Sequence, residues 1–398
     1  MVKVWIEKVL TDPEVYLLRI DDGEIKYFEA SWDIPEGISY NAYLVKLNGA
    51  NVLIDGWKKN YSNDFLKALS SLIDPKDITH IIVNHSEPDH SGTLPDVLNA
   101  NKNKAKVIAS NFAKKLLESF YGITNVEAVS DDQQMRIGEK TFRFVMTPWL
   151  HWPDTMVTYL EGVLFGCDVG GGYSLPAAID DSDERIVEEY LPYVTKYIVT
   201  VIGHYKSYIV EGAKKLSNLD IKVLLPGHGL IWKKDPQRLL QHYVNVANGV
   251  AQEKKILVVY DSMYGFVENV MNRVLGVLKE KGYNLVVHRF TDQHDSPLSE
   301  ILKDVPDSRA LVFGVSTYEA DIHPKMRYVL YEIMDKANYE KPVLFFGVHG
   351  WAASVELTVK KILKDSKFKF VSFVETKGGR VDEERMKQAM EGFLKELE

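Results

Sequence analysis

Apolar and polar positions follow two different patterns along the chain. From Lys255 onward, short apolar, β-branched runs recur at Ile256–Tyr260, Asn284–Phe290, Ala310–Val315, Pro342–Val348 and Phe368–Glu375, with helical stretches between them. Five such runs separated by helices predict a parallel sheet covered on both faces, a doubly wound α/β domain over residues 252–398. The first part reads differently. Tyr43–Leu47 and Val52–Ile54 flank Asn48-Gly49, a strong type I′ hairpin signal. A second hairpin is predicted across Arg136–Val145 around Gly138, and helices are predicted near Asn63–Ile73 and Asn111–Phe120. This mixture predicts an α+β, sandwich-type layer architecture over residues 1–251, with the boundary in the polar stretch Asn248–Lys254.

Composition narrows the chemistry. The chain has one cysteine and eleven histidines. A disulfide framework and four-thiolate metal sites are excluded, so any metal must rest on imidazole and carboxylate. The net charge is −8, which argues against a nucleic-acid footprint. No apolar run approaches the roughly 20 residues of a membrane helix. Lys3, Glu7 and Lys8 interrupt any signal-peptide core, and the expected location is cytoplasmic. The segment from Glu253 to Glu398 carries 22 Lys and Arg against 23 Asp and Glu, so most of the acidity lies upstream.

The densest chemical signal is His85-Ser86-Glu87-Pro88-Asp89-His90, just past the apolar run Ile81-Ile82-Val83. In an extended loop His85, Glu87 and Asp89 would point the same way, and a bend would bring in His90. Four ligands from so short a loop suit two adjacent metals better than one. Three further candidates sit at strand-to-loop junctions, where sites are usually built. They are His151 in Trp149-Leu150-His151-Trp152-Pro153-Asp154, Asp168 after Val163–Cys167, and His228 in Pro226-Gly227-His228-Gly229. Cys167 is expected to be a small buried core residue and Asp55 a buried hydrogen-bond acceptor. His80, His204 and His242 have no companion ligands in their sequence contexts. Trp149 and Trp152 are expected to pack around the site.

The second domain opens on Ser262-Met263-Tyr264-Gly265-Phe266-Val267, a strand, small-residue loop and helix start that would cradle a phosphate. It is neither a GxGxxG nor a lysine-bearing P-loop. Two more loops follow strand ends: Ser316-Thr317-Tyr318-Glu319-Ala320-Asp321 and Gly347-Val348-His349-Gly350-Trp351-Ala352. Ligands of open α/β sheets bind at such carboxyl ends.

The order HxExDH, LHWPD, a strand-end Asp and PGHG resembles the flavodiiron proteins, and the flavodoxin-like second half matches independently. The resemblance covers essentially the whole chain. It implies a metallo-β-lactamase-like αββα sandwich followed by a flavodoxin-like FMN domain. His85, Glu87 and His151 would bind one iron, Asp89, His90 and His228 the other, and Asp168 would bridge them. The zinc hydrolases of this fold have imidazole where Glu87 stands, and a harder, more anionic ligand set suits iron. The three loops of the second domain would hold FMN, with Tyr318 and Trp351 framing the ring. Val267 replaces the usual threonine of the phosphate loop, removing one hydroxyl contact.

The resemblance further implies reduction of O2 to water, of NO to N2O, or both, by FMN and a non-haem diiron pair. Electrons would come from a rubredoxin or similar carrier, since one cysteine cannot build a fused rubredoxin. The working unit would be a head-to-tail homodimer, or a dimer of dimers. Two departures stand out. Ser174 occupies the place of a frequent pocket histidine, and Ser31-Trp32-Asp33-Ile34-Pro35 lacks another, which leaves Tyr173 or water as proton donors. Lys360, Lys361, Lys364, Lys367 and Lys369 read as a solvated face before they read as a docking site. The competing functions are a zinc metallo-hydrolase and a non-enzymatic flavin carrier or sensor. Glu87 argues against the first and the seven-ligand set against the second.

Overall fold

The computed structural model describes residues 2–398. The chain forms two compact units, the first ending at Val244 and the second running from Asn245 to Glu398.

The first unit is a sandwich of two sheets. Seven strands form one sheet in the order Lys3–Thr11, Glu14–Asp22, Ile38–Leu47, Ala50–Ile54, His80–Val83, Lys106–Ser110 and Val126–Val129. Its first four strands are antiparallel and its last connections parallel. Five strands form the other: Gln134–Ile137, Lys140–Met146, Met156–Leu160, Val163–Cys167 and Val223–Pro226. The inner faces meet in one apolar core. Val15, Leu17, Tyr43, Val45 and Ile54 of the first sheet pack with Phe142, Phe144, Met156, Phe165 and Leu225 of the second. Amphipathic helices such as Ser62–Leu72 and Asn111–Tyr121 bury one apolar side each.

The hairpins fall where the pattern placed them. Leu47 pairs with Ala50 across Asn48-Gly49, and Gly49 takes φ +79°. Ile137 pairs with Lys140 around Gly138 at φ +60°. Both turns need left-handed backbone, which glycine adopts without a Cβ clash.

The second unit is the doubly wound sheet. Lys255–Asp261, Asn284–Thr291, Ala310–Tyr318, Pro342–His349 and Lys369–Lys377 run parallel. Numbered one to five along the chain, they lie in the spatial order 2-1-3-4-5, the flavodoxin-like arrangement. Helices Phe266–Glu280 and Glu383–Leu397 press Val270, Met271, Met390 and Phe393 onto one face. Among the described residues no helix is long and apolar enough to cross a membrane.

Candidate functional site

Four strands of the first unit bring their carboxyl ends to one place. His80–Val83 leads into Asn84 and His85, and Lys140–Met146 into the loop that carries His151. Val163–Cys167 leads into Asp168, and Val223–Pro226 into His228. The sequence expectation of an extended loop with a bend is refined by one helical turn, Pro88–Ser91. Pro88 opens that turn, where its missing N–H costs nothing. The turn swings Asp89 and His90 away from His85 and Glu87.

Two ligand groups result, with Asp168 between them. Nε2 of His85 and Nε2 of His151 lie 3.3 and 2.8 Å from Glu87 Oε2. The same two nitrogens lie 3.5 and 3.6 Å from Asp168 Oδ2. On the other side, His90 Nε2 and His228 Nε2 lie 3.0 and 3.4 Å from Asp168 Oδ1. Asp89 presents Oδ1 to His90 at 3.5 Å and Oδ2 to His228 at 3.6 Å. Each oxygen of Asp168 thus serves one group, and each group could hold a metal ion.

The rings are fixed from behind. Asp154 sits 3.1 Å from His85 Nδ1 and accepts from the backbone and hydroxyl of Ser86 at 2.8 and 2.7 Å. His228 Nδ1 donates to the Ser39 carbonyl at 2.7 Å. These contacts commit Nδ1 and turn Nε2 inward, the usual support of a ligating imidazole. The hydroxyl of Tyr197 donates to Asp168 Oδ1 at 2.8 Å. Asp55, at φ +57°, accepts from Asn84 N and Nδ2 at 2.8 and 3.1 Å and anchors the strand end before His85. Trp149 and Cys167 also take positive φ, +68° and +48°. Non-glycine residues rarely do so, and such strain gathers at functional sites. Cys167 is buried, as expected.

The donor set fits cations. Both Asp89 carboxylate oxygens, Asp168 Oδ2, His90 Nδ1 and His228 Nε2 are buried without a hydrogen-bond partner. Leaving so many buried polar atoms unpaired is costly, and positive ions among them would satisfy all but the outward His90 Nδ1. The electrostatics agree. Burial alone would depress the His90 imidazole, but Asp89 and Asp168 push it up to about 9. Burial likewise opposes ionisation of Asp168, yet His90, His228 and His85 hold its carboxyl well below the usual range. The pocket concentrates negative charge that protons neutralise in place of metal.

Of the proton donors left by the missing histidines, Tyr173 is fully buried and its hydroxyl shares a 3.1 Å hydrogen bond with Thr200. The phenol that donates to the Asp168 carboxylate is Tyr197, which sequence reasoning missed. Nothing in its helical context distinguishes it from a core tyrosine.

The second unit holds a cavity of about 340 Å³ at the carboxyl ends of its strands. Ser262, Met263, Tyr264, Phe266, Val267, Ser316, Thr317, Tyr318, Glu319, Val348, His349, Gly350, Trp351 and Gly378 line it. All three expected loops reach it, but Gly265, Ala320, Asp321, Gly347 and Ala352 do not line it. Gly347 lies inside the sheet opposite Glu375. Asp321 turns back to pair with Tyr318 and binds Arg327. Gly378, from the fifth strand's loop, was not foreseen. Gly265 takes φ +81° as the N-cap of helix Phe266–Glu280, and nothing lies within 4 Å of where its Cβ would be. Backbone N–H groups at that helix start suit a phosphate. Ser262 Oγ accepts from Glu268 N at 3.2 Å, and Val267 is buried in the core beneath. Tyr264 and Trp351 are 81% and 79% exposed. Large aromatics exposed around one cavity suit a flat ring.

Residues 38–229 match the family described as ODP family beta lactamase, and residues 258–395 match the flavodoxin family. A histidine variant of the flavo di-iron protein from Thermotoga maritima is 65% identical, with all of both chains covered and a TM-score of 0.98. Rubredoxin oxygen:oxidoreductase from Desulfovibrio gigas is 25% identical over 99% of this chain and 98% of that one, at a TM-score of 0.90. A nitric oxide reductase of Moorella thermoacetica is 26% identical over 90% of each chain. Two ligand groups sharing one carboxylate, a flavodoxin-type cavity and near-complete superposition on a close relative lead to one conclusion: the chain belongs to the flavodiiron protein family.

Proposed function

We propose that the chain is an oxidoreductase that uses FMN and a non-haem diiron pair to reduce O2 to water, NO to N2O, or both. His85, Glu87 and His151 would hold one iron and Asp89, His90 and His228 the other, with Asp168 offering one carboxylate oxygen to each group. The loops that begin at Ser262, Ser316 and Gly347 hold FMN. When bound, the two irons and the flavin supply the electron transfer and the site where the gas is reduced. Electrons come from a rubredoxin-like carrier, and the working unit is a head-to-tail homodimer in the cytoplasm, with residues 1–251 serving the iron and 252–398 the flavin.

The chain's own residues set the conditions. Three carboxylates and four imidazoles make a hard, anionic pocket that favours iron over softer ions. Asp154 and the Ser39 carbonyl orient His85 and His228. The Tyr197 hydroxyl draws charge from Asp168 and keeps a proton beside the pocket. Trp152 stands edge-on to His85 at 5.0 Å, and Phe28 and Tyr40 stand edge-on to His228 at 6.4 and 5.6 Å. These rings shield the centre from bulk water.

The observation that carries this reading is Asp168 presenting one oxygen to each ligand group. The test is anaerobic purification, with iron, zinc and FMN measured per chain, followed by reduced rubredoxin and O2 or NO. Two irons, one FMN and gas consumption are expected. Zinc occupancy without gas consumption would overturn it.

A further inference from the structure

The cavity of the second unit contains a titratable pair that the metal chemistry does not use. His349 lines the cavity, and its Nδ1 lies 3.1 Å from Glu375 Oε1. The other oxygen of Glu375 accepts from Glu356 N at 3.4 Å, in the first turn of helix Val355–Ile362. Both residues stand on neighbouring strands, where Gly347 pairs with Glu375 and His349 with Lys377. The pair therefore rests on the sheet, and the helix end fixes the carboxylate. An ionised carboxylate only accepts hydrogen bonds, so Nδ1 carries the hydrogen. A neutral imidazole then has a bare, accepting Nε2. That nitrogen becomes a donor only when the ring takes a second proton.

We propose that His349 takes up a proton at Nε2 when flavin in this cavity is reduced, with Glu375 as its positioning residue. The inference rests on reading the cavity as the FMN site. Two electrons from the external carrier and one proton, which forms the new N–H bond of the reduced ring, leave that ring with a net negative charge. His349 answers the charge with a second proton from solvent, so two electrons enter with two protons overall. A nearby opposite charge favours the ionised form of a titratable group. Other charges face the same place. Glu319 lines the cavity from the third strand's loop, and Lys377 is the cross-strand partner of His349. Arg380 lies with Lys377 beside Gly350, and the Glu356 carboxylate is held by Lys360 at 2.6 Å. Oxidised and reduced states share these groups. The charge gained on reduction is what drives the uptake.

The test is the flavin midpoint potential against pH, read at the flavin absorption band, between about pH 5 and pH 8. One extra proton per two electrons steepens the slope by about 30 mV per pH unit. The wild type is expected to be steeper than His349→Gln or His349→Asn by that amount over part of the range. Glu375→Gln keeps the imidazole but weakens its support, so the steep segment moves to lower pH. FMN per chain and circular dichroism are measured first for each protein. Wild-type protein without FMN would overturn the functional reading and this inference with it. FMN bound in wild type, with slopes equal in wild type and both His349 variants at every pH, would overturn the inference alone.

Discussion

Asp168 faces two ligand groups at once, so it is the residue whose loss reaches furthest. Asp168→Asn is expected to empty both metal positions while the fold, read by circular dichroism, survives. Glu87→His should lower iron content and raise the share of zinc, measured by elemental analysis; unchanged iron would remove Glu87 from the ligand set. Asp154→Asn keeps every ligand but loosens His85, and an approximately 10- to 100-fold loss of metal affinity is expected in a competition titration. In the second unit, burial pushes the Asp261 carboxyl up to about 7 from 3.8, although Ser316 donates to it through N and Oγ. A raised carboxyl binds more protons folded than unfolded, so stability falls as pH rises from about 4 to about 7. Asp261→Asn should flatten that part of the curve of Tm against pH. At this scale the clustered residues were legible as candidate ligands because polar residues rarely stand at the ends of buried apolar runs without a role. Tyr197, Ser39 and Asp154 were not read as supports. A helical tyrosine, a backbone carbonyl and a loop aspartate carry no pattern until the fold closes around His85, His228 and Asp168.

At the scale of elements, loops carry the site and strands aim them. Gly227 shows how tightly the last loop is packed. A Cβ there would lie 2.7 Å from His90 Cε1 and 3.2 Å from the Cys167 backbone carbon. Gly227→Ala is therefore expected to displace His90 and reduce iron at the second position first, seen as metal content falling from two toward one. Gly49 is the opposite case. Nothing crowds its Cβ position, so Gly49→Ala should cost only the left-handed backbone penalty, about 1 kcal/mol in chemical denaturation. Both hairpins were legible because Asn-Gly and Gly at a turn have few other uses. The antiparallel pair Lys3–Thr11 and Glu14–Asp22 was not. Most of Lys3–Thr11 is solvent-exposed, so an edge strand with polar residues on both faces shows no period-2 signal. The basic stretch near Lys360 also resolves at this scale, since Lys360 pairs with Glu356 and Lys369 with Glu396.

At the scale of the molecule, the two halves divide the chemistry and must exchange electrons. The doubly wound half was legible from its five apolar runs. The sandwich was legible only as mixed hairpins and helices, because which strands share a sheet depends on contacts far apart in sequence, such as Val15 with Phe144 in one core. If the flavin of one chain serves the iron of its partner, two inactive variants should complement each other. Asp168→Asn keeps the flavin, and Gly265→Val, strained at φ +81°, is expected to lose it. Mixed and reassembled, the pair should recover part of the gas-consuming activity that neither shows alone.

The most direct measurement compares metals in the same protein. Metal-free chain carrying FMN is reconstituted with iron or with zinc, reduced anaerobically, and mixed with O2 or NO while flavin reoxidation is followed. The iron form should reoxidise its flavin rapidly with consumption of the gas, and the zinc form should lag far behind. Equal rates in the two forms would show that His85, Glu87, Asp89, His90, His151, Asp168 and His228 do not carry the reduction.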